Sequence, residues 1–226
     1  MKALIIVPTY GRIPFLNRML ASFLSQNYED KELAIVNDDK NVTLCCEYPK
    51  VTCINLNKKI LVGQKRNIAT NLGFYDIMIP YDDDDIMLSN RITNCVKKHI
   101  ENPEIDCFHN QSSYILYGNE FLISDSGPST LSYTKKGWFA CKGYNHPLNK
   151  GEDQKFINDL PNKLIIKDKE LIDYVYNYGG INYHLSGNND TDIEKIAYHQ
   201  LKEMNLLGQK YFITPDYEEY NKFLKL

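Results

Sequence analysis

Apolar positions along the chain fall into short solid runs separated by stretches of helical spacing. Residues 3–7 (Ala-Leu-Ile-Ile-Val) form one such run, closed by Pro8, as in a strand buried on both faces. Leu16, Met19, Leu20, Phe23 and Leu24 then recur every three or four positions, which predicts a helix over residues 14–26 packed on that strand. Residues 33–36 and 51–56 read as further strands, residues 64–72 as a short helix after Gly63, and residues 77–81 as a strand running into four aspartates. Ile92, Cys95, Val96 and Ile100 mark another amphipathic helix. Strands alternating with helices predict an α/β fold: a mostly parallel central sheet, flanked by helices, with right-handed crossovers.

Beyond Pro103 the pattern changes. Residues 114–117 and 121–123 read as short strands separated by Gly118 and Asn119, and helical spacing returns at 153–160. A capping-box pattern from Thr191 to Glu194 opens another helix. Thr214-Pro215 opens a last one, with Tyr217, Tyr220, Phe223 and Leu224 on one face. The expected organisation is one compact unit over residues 1–190, with halves at 1–102 and 103–190, followed by a helical extension over 191–226.

Composition narrows the class. A chain of 226 residues, 43% apolar and 24% charged, is too apolar for disorder and long enough for one large domain. With 26 basic and 29 acidic side chains the net charge is −3, which excludes a generally basic, phosphate-coating surface. Nucleic acid is therefore not the favoured partner. The six cysteines form no C-x-x-C pair and no zinc-like spacing, so reduced, buried thiols are expected. The N-terminal apolar run is too short for a signal peptide, and no stretch reaches the roughly 20 residues needed to cross a bilayer. A cytoplasmic protein with no membrane span is the expectation.

Chemistry concentrates in a few places. Asp82-Asp83-Asp84-Asp85 places four carboxylates side by side, a repulsive arrangement that needs a cation nearby. The run is either a solvated turn or, at the carboxyl end of a parallel strand, a site for Mg²⁺ or Mn²⁺ held by carboxylates and substrate phosphates. Asp38 and Asp39 end an earlier strand, either as a turn or as acceptors for the N–H of a nucleobase or the hydroxyls of a ribose. Gly63-Gln64-Lys65-Arg66-Asn67 combines a glycine turn, a helix start and two cations suited to a diphosphate, although Lys65 fits a surface charge better. Glu152-Asp153 opens a helix, as caps or as a general base. His184 lies in a polar loop and is either a metal ligand or a surface side chain, whereas His99, His109, His146 and His199 read as structural. Trp138 is either core or a sugar-stacking face.

Taken in order, these segments resemble family 2 glycosyltransferases with the Rossmann-like GT-A fold. Residues 4–12, including Pro8-Thr9-Tyr10-Gly11-Arg12, resemble the first strand and nucleotide loop of that family. Residues 35–39 resemble the strand whose terminal aspartate meets the base, and residues 63–69 the glycine–arginine–asparagine segment. Asp82 to Asp84 match the metal-binding D-x-D motif, Glu152-Asp153 the E-D catalytic motif, and Tyr183-His184 with Gly187-Asn188 a late His–Gly–Asn segment. Here Asp39 is followed by Lys40-Asn41 where the family usually has Gly-Ser, and the register of each acidic run is open by one residue, leaving Asp39, Asp83 and Asp85 as alternates.

The resemblance implies a metal-dependent, inverting transfer of a sugar from a nucleotide sugar, most simply a UDP-sugar, to a glycan or other hydroxyl acceptor. By it, Pro8, Thr9, Tyr10, Arg12, Asp38, Asp39, Gly63, Lys65, Arg66, Asp82 and Asp83 would line the donor site, with Asp82 at the ribose. Asp84 and His184 would hold Mn²⁺ or Mg²⁺; Asp153, beside Glu152, would be the base. Two other outcomes are weighed: the same chemistry on a hydroxylated DNA base, as in viral DNA glycosylation, and a binding module that kept the fold without the reaction.

Overall fold

The computed structural model describes residues 1–117, 120–126, 130–148, 151–177 and 193–224. The first aliphatic run forms β1 (Ala3–Thr9), buried along its whole length. It leads into α1 (Ile13–Leu24), which carries Pro14 in its opening turn, where a missing N–H costs nothing. Next come β2 (Lys31–Asn37), β3 (Val42–Cys45), β4 (Val51–Asn55), α2 (Val62–Thr70), β5 (Ile77–Pro80), the two-residue β6 (Ile86–Met87) and α3 (Arg91–Glu101). The second half holds β7 (Cys107–Asn110), β8 (Ser113–Tyr117), β9 (Glu120–Ser124), β10 (Leu131–Thr134), α4 (Lys135–Ala140), α5 (Glu152–Asp159), β11 (Lys163–Ile166) and β12 (Tyr174–Asn177). Beyond it lie α6 (Ile193–Glu203), β13 (Gln209–Phe212) and α7 (Tyr217–Asn221).

A 7-stranded sheet in the order β11-β7-β10-β5-β1-β2-β4 forms the centre. β5, β1, β2 and β4 run parallel, as does β11 with β7, while β10 is antiparallel to both of its neighbours. This is the mostly parallel α/β sheet that the alternation of elements predicts. Ala3, Ile5 and Val7 pack with Leu16, Met19, Leu20 and Phe23 of α1 on one face. Leu4 and Ile6 pack with Ala69, Trp138, Phe156 and Ile157 on the other. The period of two along β1 therefore gives each face of the sheet its own core.

β6, β12, β8 and β9 form a smaller sheet, and β13 pairs parallel with β3. The tail is thus helical apart from β13. Its last helix is shorter than its apolar pattern suggests, stopping at Asn221; Tyr220 and Phe223 are buried, whereas Tyr217 and Leu224 are about half exposed. The Thr191 capping pattern lies outside the described residues. All six cysteines are free thiols, half of them buried and half partly exposed. Among the described residues no helix is long and apolar enough to cross a membrane.

His99 illustrates how this core treats a titratable group. It lies buried on α3 against Ser132 (3.1 Å), and burial pushes its pKa down to about 4. Unfolded, an imidazole protonates near pH 6.5, so below that pH the unfolded chain binds more protons and stability falls as the pH drops towards 4. Urea denaturation should show the stability margin of the native chain over His99→Gln shrinking by about 2–3 kcal/mol between pH 7 and pH 4.

Candidate active site

Because β1, β2 and β5 are parallel, Thr9, Asn37 and Pro80 end at one rim of the sheet, and the acids that follow them gather there. The four aspartates after β5 face different ways. Asp82 is the most open, its side chain 28% exposed, and it accepts from Arg66 Nη2 at 3.0 Å. Asp83 turns inward, fully buried, accepting from Thr9 Oγ1 at 2.6 Å, from Arg12 Nε at 3.0 Å and from Arg12 Nη2. Asp84 accepts from Arg12 Nη1 at 2.9 Å. Asp85 is buried beneath Tyr174, whose hydroxyl donates at 2.6 Å, and also accepts the N–H of Asn177 at 2.9 Å. Burial raises the carboxyl pKa of Asp83, opposed by Arg12; it raises that of Asp85 further, helped by the charge of Asp84. Burial works against the charge of Arg12, but Asp83 and Asp84 outweigh it and hold the guanidinium protonated.

Arg66 is the second organising cation. Nη1 donates to Glu152 Oε1 at 2.7 Å while Nη2 reaches Asp82, so one guanidinium joins the rim of β5 to the first turn of α5. Its plane lies 5.4 Å from the ring of Tyr144, which stacks on Phe156. Burial raises the Glu152 carboxyl pKa and Arg66 opposes the rise. Asp153 follows Glu152 at the helix start, where the aligned peptide dipoles favour a carboxylate, and it adds to the negative field that keeps Arg66 charged.

The third cation, Lys65, departs from the surface role its residue type suggests. It is 5% exposed and donates to Asp38 Oδ1 at 2.5 Å and to the carbonyl of Thr9 at 2.8 Å. Burial lowers its pKa and Asp38 opposes that shift. Asp38 also accepts the N–H of Ile60 at 2.8 Å, so its carboxylate is an internal partner. Asp39 differs. Oδ1 accepts twice from Asn41, whereas Oδ2 is buried with no hydrogen-bond partner beneath Gly11, where a β-carbon would come within 2.4 Å. Gly11 has φ +59, so the loop between β1 and α1 needs glycine for both conformation and space. Burial raises the Asp39 pKa against the Asn41 hydrogen bonds. Tyr10 lies partly exposed with Lys59 5.4 Å from its ring, and burial with the charge of Asp39 pushes its hydroxyl up to about 12, a neutral phenol at physiological pH.

Gly63 is not a turn residue. It lies inside α2, where a β-carbon would come within 2.8 Å of Tyr144 Cβ, so its role is close packing of α2 against the Tyr144 loop. Trp138 is core, its indole N–H donating to Asn67 Oδ1 at 3.0 Å. Pro8 is buried within β1. His184 lies outside the described residues. Two organisers lie within segments the sequence singles out but are given no role there. Asn37 accepts the N–H of Gly11 and of Asp39, and Asn67 holds the Tyr144 main chain from both its amide atoms.

The sequence model of glycosyl transferase family 2 matches residues 4–143, and the chain belongs to that family. Solved structures share its architecture at low identity. S. aureus TarS 1-349 in complex with UDP-GlcNAc superposes with a TM-score of 0.66 at 17% identity, over 84% of this chain and 62% of that one. The mannosyltransferase PcManGT of Pyrobaculum calidifontis, in complex with GDP-Man and Mn²⁺, gives 0.56 at 13% identity, over 82% and 58%. The fold is thus that of GT-A glycosyltransferases, and this chain spans about 60% of the length of these relatives. No curated protein matches the sequence.

Proposed function

We propose that this chain transfers a glycosyl group from a UDP-sugar to an acceptor hydroxyl, with inversion at the anomeric carbon and with Mn²⁺ or Mg²⁺ bound. The observation that carries the reading is the pair of guanidinium bridges: Arg12 gathers Asp83 and Asp84, and Arg66 ties Asp82 to Glu152 beside Asp153. Donor-side and acceptor-side acids are thereby brought to one rim. With Asp38 committed to Lys65, Asp39 is the acid left to accept an imide N–H, which uracil and guanine both offer.

Asp84 offers carboxylate oxygens, the ligand type that suits a hard divalent ion, and Oδ2 accepts from Arg12 at 2.9 Å. Among the described residues no cluster of three His, Cys, Asp or Glu side chains closes on a metal. Asp84 would therefore hold the ion, with Asp82 left to meet the ribose. A divalent ion bound there neutralises charge on the departing diphosphate. Asp153 takes the proton of the acceptor hydroxyl as its oxygen bonds to the anomeric carbon. The bond from that carbon to the diphosphate oxygen breaks, and its electron pair leaves with the nucleotide. Arg66 holds Glu152 in place at 2.7 Å, so the first turn of α5 presents Asp153 in one orientation.

Calorimetric titration with UDP tests the reading. Binding is expected to tighten by about tenfold or more when Mn²⁺ is present, as for a diphosphate clamped by a hard cation. Equal affinity with and without metal, or no binding, would overturn it.

A further inference from the structure

We infer that the C-terminal segment positions the metal-binding aspartate: Phe223, acting through Arg18, sets the main chain at Asp84. The inference rests on the reading of Asp84 given above. Arg18 lies on the inner side of α1, almost wholly buried, and its Nη2 donates to the main-chain carbonyl of Asp84 at 2.5 Å. Its Nε has no hydrogen-bond partner, so the guanidinium is oriented by that bond and by two aromatic rings. Phe15 lies 5.5 Å from it and Phe223 5.2 Å. A cation over a ring face is held electrostatically, most strongly where water is excluded, and Phe223 is itself buried.

The same pattern continues along the exit from the acidic run. The carbonyl of Met87 accepts from Ser22 Oγ at 2.8 Å and from Tyr220 Oη at 3.3 Å, and that of Leu88 from Gln26 Nε2 at 2.8 Å. Side chains of α1 and of Gln26 just beyond it therefore hold main-chain carbonyls between residues 84 and 88, and the tail supplies one donor directly and one brace behind another. Because α7 packs on α1, the tail reaches the acidic run through the side chains of that helix. A displacement of about 1 Å at a reacting centre costs up to 10²-fold in rate, so a carbonyl tether next to the diphosphate acid is a lever on function.

The test uses the full chain and reads the factor by which Mn²⁺ tightens UDP binding. Phe223→Leu keeps an apolar group but removes the ring, and Arg18→Lys keeps the charge but not the planar guanidinium. Both are expected to lose about tenfold of the Mn²⁺ effect while metal-free UDP affinity stays unchanged, and Phe223→Trp, which keeps a ring, is expected to retain it. A purely structural role would lower the melting temperature without moving the Mn²⁺ factor measured well below it. That result in either variant overturns the inference, as does loss of the Mn²⁺ effect in Phe223→Trp equal to that in Phe223→Leu. Absence of any Mn²⁺ effect in the unaltered chain instead overturns the underlying reading of Asp84, and the inference falls with it.

Discussion

Replacing Asp153 by Asn is expected to reduce glycosyl transfer by about 10²- to 10⁴-fold, the range a positioned general base contributes. The substitution preserves shape and the first-turn hydrogen bond to Gln154 N–H (2.8 Å), but an amide cannot take the acceptor's proton. Glu152 cannot substitute for it, because its carboxylate is buried against Arg66 at 2.7 Å. Nucleotide affinity is expected to hold, since Asp39, Asp82 and Asp84 are untouched. Released UDP reports turnover and calorimetry reports binding. Undiminished turnover in Asp153→Asn would move the base elsewhere, and joint loss of turnover and UDP affinity would make Asp153 part of the donor site.

The largest expected effect on stability comes from Asp38→Ala. It leaves the Lys65 ammonium buried without its carboxylate, and also deprives Ile60 N–H of its acceptor. Breaking one side of a buried ion pair costs about 3–5 kcal/mol. The pH dependence follows from the sign of the shift. Burial holds the folded pKa of Lys65 below its unfolded value, so the unfolded chain binds more protons in that window and stability rises with pH. Removing Asp38 widens the window, and the deficit should narrow between pH 7 and pH 9.5. Adding Lys65→Met should recover most of the loss at pH 7. Guanidinium denaturation measures all three, and a deficit below about 1 kcal/mol would mean that water reaches Lys65.

Local pattern carried the parts of the fold whose burial is written in residue type. The runs that became β1, β2 and β5 are apolar throughout, and the periodicity that became α1 points at one core face. β7, with the sequence Cys-Phe-His-Asn, is wholly buried yet only half apolar, and β3 finds its partner in β13 at the far end of the chain. Neither pairing leaves a trace over a short window. The acid clusters were legible because adjacent carboxylates demand a cation, but which cation answers each acid was not. Arg66 meets Glu152 across 86 positions, and Lys65 is buried because Asp38 is within reach, not because of its own neighbours in sequence. Gly63 suggested a turn because glycine usually signals backbone freedom, whereas here it answers the closeness of Tyr144.

The guanidinium of Arg66 has a consequence for how such a protein can diversify. One side chain joins the rim of β5 to the first turn of α5, so neither half of the chain can be exchanged as an independent cassette. A chimaera that imports a foreign second half without an acid at position 152 strands a buried cation and also unseats Asp82. Sequence change is therefore easier to absorb in the outer loops, with positions 66 and 152 inherited as a pair.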